Sequence, residues 1–312
     1  MKIKKHSLTA SLALILIIAL TGCQKEATPE RLLGEMAAKT AKMKSCTMEM
    51  QMNMDLSGSV EGFDMDMSFA MDMDTEAITD PARVHGVGAL SMDVMGQHMD
   101  LDMEMYALQE NGKNLSYVNV YDTWIKQETE DMTAAMEAYT FKDIQELSES
   151  LELAGETQTA NDKECYLLSG NISGDAIKGM LDTVLNNMNS SGLDIDTEAF
   201  ANARVDYQLF IDRETKYPVK MTMDIRDLME SAMNASQDDV AFTCKSCDLN
   251  YSFTSFDTVE SIELPDEAKN SATDMDGLTD GLLDEEEDFS DFSDFSDLSD
   301  LSDNPLESSD DL

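Results

Sequence analysis

Cys23 closes the run Leu20-Thr21-Gly22-Cys23, behind the basic leader Met1-Lys2-Ile3-Lys4-Lys5 and an unbroken apolar stretch from Leu12 to Leu20. A cationic start, a short apolar core and small residues ahead of a cut are the marks of a secretory signal peptide. A cysteine in the first position after that cut adds covalent chemistry. Its thiol is diacylated and the leader, residues 1–22, is removed ahead of it. An ordinary signal cleaved elsewhere and an uncleaved anchor helix are the competing readings. The apolar run falls short of the about 20 residues a span needs, which favours the lipid anchor.

Four further cysteines, Cys46, Cys165, Cys244 and Cys247, follow the anchor. In an exported domain they allow two disulfides with three connectivities, which spacing cannot rank. Cys244-Lys245-Ser246-Cys247 is a C-x-x-C, yet no strand-into-helix context of a redox motif surrounds it. Structural cysteine, free or bonded, is therefore the expectation over a redox pair. Beyond the leader the histidines are His85 and His98, too few for zinc or for general-base chemistry at neutral pH. No nucleophile elbow, phosphate loop or H-E-x-x-H occurs. The carboxylates are so numerous that no acid–base pair stands out. The expectation is a non-enzymatic protein with no cofactor and no catalytic residue.

Charge narrows the partners. The formal net charge is −43, and removal of the three leader lysines makes it −46. A phosphate-binding face needs a basic footprint, so nucleic acid is excluded as a direct partner. An anionic leaflet repels such a chain, so the acyl chains on Cys23 must hold it at the membrane.

The elements follow from periodicity. Residues 23–27 are the lipidated cysteine and a tether. Thr28-Pro29 starts a helix, a capping hydroxyl followed by proline at the first helical position. Leu32, Leu33, Met36, Ala37, Thr40 and Met43 recur at helical spacing to about Lys44. From Cys46 the period becomes two: Cys46, Met48, Met50, Met52, Met54 and Leu56 alternate with Thr47, Glu49, Gln51, Asn53 and Asp55. Past a six-residue turn with Gly58 and Gly62, Phe63, Met65, Met67, Phe69, Met71 and Met73 alternate with polar and acidic residues. That turn sets Met54 opposite Met65 and Asp55 opposite Asp64, an antiparallel hairpin with one buried and one wet face. Val84, Leu90, Met92 and Val94 lead through residues 95–98 into Met99, Leu101, Met103 and Met105, with Met92 opposite Leu101. Asn111-Gly112, a turn that demands positive φ, then sets Met105 opposite Val118 and Met103 opposite Val120.

Downstream, helices are expected over about 131–153, with Leu147 and Leu151 on the inner stripe, and over about 175–188. Strands are expected around Thr157, over Cys165–Ile172, Val205–Ile211, Val219–Ile225 and Cys247–Phe253, with a helical insertion over 227–235. Val259 to Pro265 ends the folded part. Residues 271–312 carry 16 acidic residues and no Lys or Arg, with the triplet Asp-Phe-Ser or Asp-Leu-Ser repeated five times. Such a tail cannot bury enough surface to offset ordering entropy, and disorder is the expectation. It acts as an entropic bristle, or docks a basic partner through Phe289, Phe292 and Phe295.

A lipobox, an amphipathic first helix, a long antiparallel meander and a closing hairpin resemble the LolA/LppX-like superfamily. The stretches that carry the likeness are Asp122 to Lys126, Ile211 to Lys220 and Ser255 to Pro265, structural turn-and-strand signatures. The resemblance covers residues 28–270 and extends to Gram-positive lipoproteins of that fold. It implies an α+β domain, a curved antiparallel sheet shaped as a half-open barrel with helices over its concave face. It also implies carriage of a lipid or acyl chain there.

Thirteen of the 25 methionines fall between Met48 and Met105. Unbranched, polarizable side chains suit a groove for ligands of irregular shape. The groove residues are Met50, Met52, Met65, Met67, Phe69, Met92, Leu101 and Met103. Three other readings compete: a plain core filled by the protein's own helices, which makes the chain a surface scaffold; thioether binding of Cu(I) by the M-x-M runs; and weak divalent-cation binding by the acidic face. The ligand's identity and the oligomeric state are left open.

Overall fold

A computed structural model describes residues 26–60, 63–94, 96–129, 141, 144–173, 203–235 and 241–274. Alternation at period two over long stretches is the dominant sequence signal, and among the described residues it yields one sheet of thirteen strands. Helix α1 is Pro29–Thr40. The meander follows as β1 (Ser45–Val60), β2 (Phe63–Thr79), β3 (Ala82–Val94), β4 (Gln97–Glu110), β5 (Lys113–Val120) and β6 (Thr123–Thr129). A 3-10 turn at Ile144–Glu149 precedes β7 (Leu151–Leu153), β8 (Gln158–Ala160) and β9 (Lys163–Ser173). Then come β10 (Arg204–Asp212), β11 (Pro218–Asp224), α2 (Arg226–Ala235), β12 (Ala241–Phe256), α3 (Asp266–Ser271) and β13 (Thr273–Asp274).

The spatial order is β13-β6-β5-β4-β3-β2-β1-β12-β11-β10-β9-β7, with β8 on β9. Every pairing is antiparallel except β13 on β6. Among the described residues the end strands β13 and β7 do not pair, so the sheet is open. The expected α+β class gives way to a mostly β architecture. The described helices are short, and β12 inserts between the meander and the later strands by pairing with both β1 and β11.

Thr28 caps α1 as expected: its Oγ1 accepts the Arg31 N–H at 3.3 Å, and Pro29 fills the first helical position. Leu32, Leu33 and Met36 are buried on one stripe. The β4–β5 hairpin has the expected register, Met103 opposite Val120 and Met105 opposite Val118. Asn111 and Gly112 sit at φ 53° and 79°.

Two registers differ from expectation. Met54 lies opposite Phe69 rather than Met65, because β1 and β2 extend to a Val60–Phe63 pair. Met92 lies opposite Met99 rather than Leu101, because β3 and β4 extend to Val94–Gln97. A strand of repeated Met-x-Met looks alike every two residues, so hydrophobic pattern alone does not choose among even slips. The tightest turn makes the most ladder bonds. Even slips keep every side chain on its face, so the apolar side is unchanged.

The helix expected over 131–153 is corrected in its last part, where Leu151 and Leu153 are strand β7. Gly170 lets this happen: a Cβ there would sit 2.1 Å from the Ser150 carbonyl oxygen, so only glycine admits β7 beside β9. Residues 131–140, the helix expected at 175–188 and the tail from 275 lie outside the described residues. The folded part also runs past Pro265 and past the expected boundary at 270, through α3 to β13.

Candidate functional site

The inner face is built from rows that cross many strands. One row runs Tyr207, Met223, Leu249, Met52, Met71, Leu90, Leu101. The next runs Leu209, Met221, Tyr251, Met50, Met73, Gly88, Met103. Burial changes along them. Val205, Tyr207, Leu209 and Ile211 are fully buried, and Met221, Met223 and Leu249 nearly so. The Tyr207 hydroxyl donates to Met221 Sδ at 3.1 Å, and burial pushes its phenol up from the ordinary range.

Past β1 the part of the same face nearer the β1–β2 and β3–β4 turns is half-buried. Met50, Met52, Met65, Met67, Phe69, Met92, Leu101 and Met103, the eight groove residues expected from sequence, all fall in this class. They lie on the four adjacent strands β1 to β4. Met50, Met52, Met67 and Phe69 also pack against the main core. Met99, opposite Met92, is 48% exposed. Met48, Met54 and Leu56 on β1 and Ala77 and Val84 on β2 and β3 are buried on this face, and so is Met73. It lies over Gly86 and Gly88: a Cβ on Gly86 would meet Met73 Cε at 2.8 Å, and one on Gly88 would meet Met73 Sδ at 2.8 Å.

The outer face carries acids and ends in a second core. Glu49, Asp55, Asp66, Asp72, Asp74, Asp93, Asp100 and Asp102 are exposed. His98 stands between Asp93 and Asp100, 3.1 Å from each, and both carboxylates hold its imidazole above the ordinary pKa. Ser91 Oγ donates to Asp100 at 2.6 Å, which together with His98 holds that carboxyl low. A shallow open pocket of about 230 Å³ lies here, with Asp55, Asp66, Asp93 and Lys245 in its wall. Among the described residues no three His, Cys, Asp or Glu side chains form a metal cluster.

Toward the β6 end this outer face becomes apolar. Tyr106, Leu108, Leu115, Tyr117 and Trp124 are buried under Ile262, Leu264 and Ala268 of the C-terminal segment. This strap is pinned at its start, where Asp257 Oδ1 accepts the Lys44 N–H at 2.6 Å. Arg83 Nη1 then donates to the Ile262 carbonyl at 2.7 Å. At its end Thr273 pairs with Ile125. Sequence reading missed this second core, although the even positions Tyr106 and Leu108 break the acidic alternation of β4 and signal it.

The four cysteines are buried free thiols rather than the two disulfides that an exported domain allows. Cys46 lies opposite Phe256, and Cys165 belongs to a separate small cluster with Ala160 and Val219. On β12, Asp55 pairs with Ser246 and Leu56 with Cys244, so Lys245 is an extra residue in a bulge. The bulge turns Cys244 and Cys247 to the same side, which a regular strand would not. Burial pushes Cys46 up to about 12, Cys247 up to about 12 and Cys244 up to about 11. Cys23 precedes the described residues.

The chain belongs to DUF6612, a family of unknown function, which it matches over residues 28–273. No curated protein matches it. Among solved structures it is similar to the lipoprotein LppX of Mycobacterium tuberculosis, at 11% identity and TM-score 0.42, over 75% of this chain and 98% of that one. It is also similar to LprF of Mycobacterium bovis, at 10% identity and TM-score 0.43, over 76% of this chain and 96% of that one.

Proposed function

We propose that this member of a family of unknown function is an extracytoplasmic lipoprotein. It is tethered through diacylated Cys23 and holds a hydrophobic ligand, a lipid or acyl chain, against the methionine face of β1 to β4. The observation that carries the reading is the half-burial of all eight groove residues on one face, beside strands whose equivalent residues are dry. A contiguous apolar surface left partly open gains free energy when a ligand covers it, at about 25 cal/mol per Å². Unbranched thioethers adapt to the shape of what they cover.

The action is binding rather than catalysis. Buried thiols held as high as about 12 are poor nucleophiles at neutral pH. Packing of Met50, Met52, Met67 and Phe69 against the main core favours a second reading, a scaffold whose interior is filled by its own side chains.

Purification from the native host, solvent extraction and mass spectrometry separate the two. The expected result is one lipid or acyl-chain species in near-stoichiometric amount. An empty extract overturns ligand carriage in favour of the scaffold.

A further inference from the structure

We propose that the methionine face selects a cationic amphiphile, an apolar chain or ring that carries positive charge. This rests on the ligand-holding reading and adds the sign of the ligand's charge. From Ser45 to Glu110 the chain has fourteen carboxylates and one Lys or Arg, Arg83. Arg83 is committed to the strap, donating to the Ile262 carbonyl at 2.7 Å. Lys245 reaches in from β12 and is spent on Asp66 at 2.7 Å. His98 stands 3.1 Å from both Asp93 and Asp100, and His85 stands 3.0 Å from Glu104. Arg83 and Lys245 are thus already engaged, while among the described residues Glu49, Asp55, Asp72, Asp74 and Asp102 have no cationic partner.

The described strand acids, from Glu49 and Asp55 on β1 to Asp102 and Glu104 on β4, lie behind the methionines, on the other side of a single sheet. Screening at physiological ionic strength sets in over about 8 Å, comparable with the thickness of one sheet. The apolar side chains between the acids and a ligand screen less than water does. The negative field therefore reaches the methionine side, raises the local concentration of cations and lowers that of anions. Thioethers are neutral and polarizable, so nothing on the apolar face opposes a positive headgroup at its margin. Rejection of anionic amphiphiles has a use for a protein tethered to an anionic leaflet. The bulk lipid around it is the commonest wrong ligand, and like-charge repulsion is a direct way to refuse it.

The test compares three amphiphiles with the same chain. Full-length protein labelled at its methionine methyls is titrated, below micelle-forming concentrations, with dodecyltrimethylammonium, dodecyl maltoside and dodecyl sulfate. NMR follows the methyls of Met50, Met52, Met92 and Met103. The expected result is that the cation moves these methyls at about tenfold lower concentration than the neutral probe, with the sulfate weakest. Added salt should shrink the difference. Equal binding of cationic and neutral probes overturns the charge selection and keeps the ligand-holding reading. Binding of none of the three at the methyls overturns both. A cation that shifts the His98 ring and leaves the methyls unmoved has bound the outer acids, and that also overturns the proposal.

Discussion

The two halves of the inner face obey the same alternation and end in different states. On β9 to β12 it produces a dry interior, with Tyr207, Leu209 and Ile211 fully buried. On β2 to β4 it produces a half-open surface in which Phe69, Met92 and Leu101 keep part of their area exposed. Alternation sorts side chains to a face, whereas burial needs something to lie on that face. In the dry half this is α2, which packs on β12 and β10 and sends Leu228, Met229 and Ala232 into the core. The residues differ as well. Branched and aromatic side chains outnumber methionine in the dry half, where Met221 and Met223 stand among them, and methionine predominates in the open one. A surface that must adapt to what covers it has reason to use methionine.

The sharpest break of this comparison is a pair of truncations of the same chemistry. Leu209→Ala should cost about 2–5 kcal/mol, the range for a buried leucine that leaves a cavity. Leu101→Ala should cost about 1 kcal/mol or less, since its side chain is already part solvated. Urea unfolding of both variants measures the gap. Equal losses would mean that the open half is as dry as the other, and the contrast would fail.

A second pair probes the backbone of the open half. A Cβ on Gly88 would sit 2.0 Å from the Asp72 carbonyl oxygen, a main-chain atom that cannot turn aside. Gly88→Ala should cost about 1–3 kcal/mol, as overpacking does. On Gly86 the nearest atoms are Met73 Cε at 2.8 Å and Met105 Cγ at 3.0 Å, both on flexible side chains. Gly86→Ala should cost clearly less, read as a smaller fall in melting temperature. A reversed order would show that the strands part more easily than the thioethers move.

Much of this was legible before any coordinates. Period two from Cys46 to Val120 assigned the face of each methionine, and it survived two wrong registers because both slips were even. Asn111-Gly112 set its hairpin because only one turn geometry suits that pair. Tyr121 and Asp122 make a turn of the same hand, at φ 50° and 59°, with no glycine to announce it. The bulge at Lys245 was hidden too, because Cys244 and Cys247 read as out of phase until one residue is left unpaired. The strap escaped because its partners are 140 or more positions away for Trp124 against Leu264, and no local period reports such contacts. Half-burial itself is a tertiary property: Met52 and Met223 have the same residue type and the same strand pattern, yet Met52 is half-buried and Met223 buried.

The strap allows a smaller perturbation of the open half from its outer side. Arg83→Met keeps the length of the side chain and removes the 2.7 Å bond to the Ile262 carbonyl. A bond from a charged donor contributes about 1.5–3 kcal/mol, and water can take over part of it at this part-buried site. A loss of about 1 kcal/mol is expected, with faster amide exchange over 259–268 and unchanged exchange in β10. Uniform acceleration throughout the sheet would mean that the two halves unfold as one unit.

The weakest expected effect concerns His98, and its sign is fixed by the geometry. Asp93 and Asp100, each 3.1 Å away, raise the pKa of the folded imidazole above its ordinary value of 6.5. A raised folded pKa contributes stability that is complete below the unfolded value and is lost as pH rises through the folded one. The Ser91 hydroxyl and then His98 lower the Asp100 carboxyl below 3.8, so that contribution is present above the unfolded carboxyl value and is lost as pH falls through the folded one. The hairpin tip is therefore best held in mildly acidic solution, between the two transitions. The site is fully solvated, so the effect should be small and should fade with salt. His98→Asn should flatten the dependence of melting temperature on pH above 6.5 and leave β10 untouched. A variant that keeps the full slope above 6.5 would show that the His98 contacts are not its source.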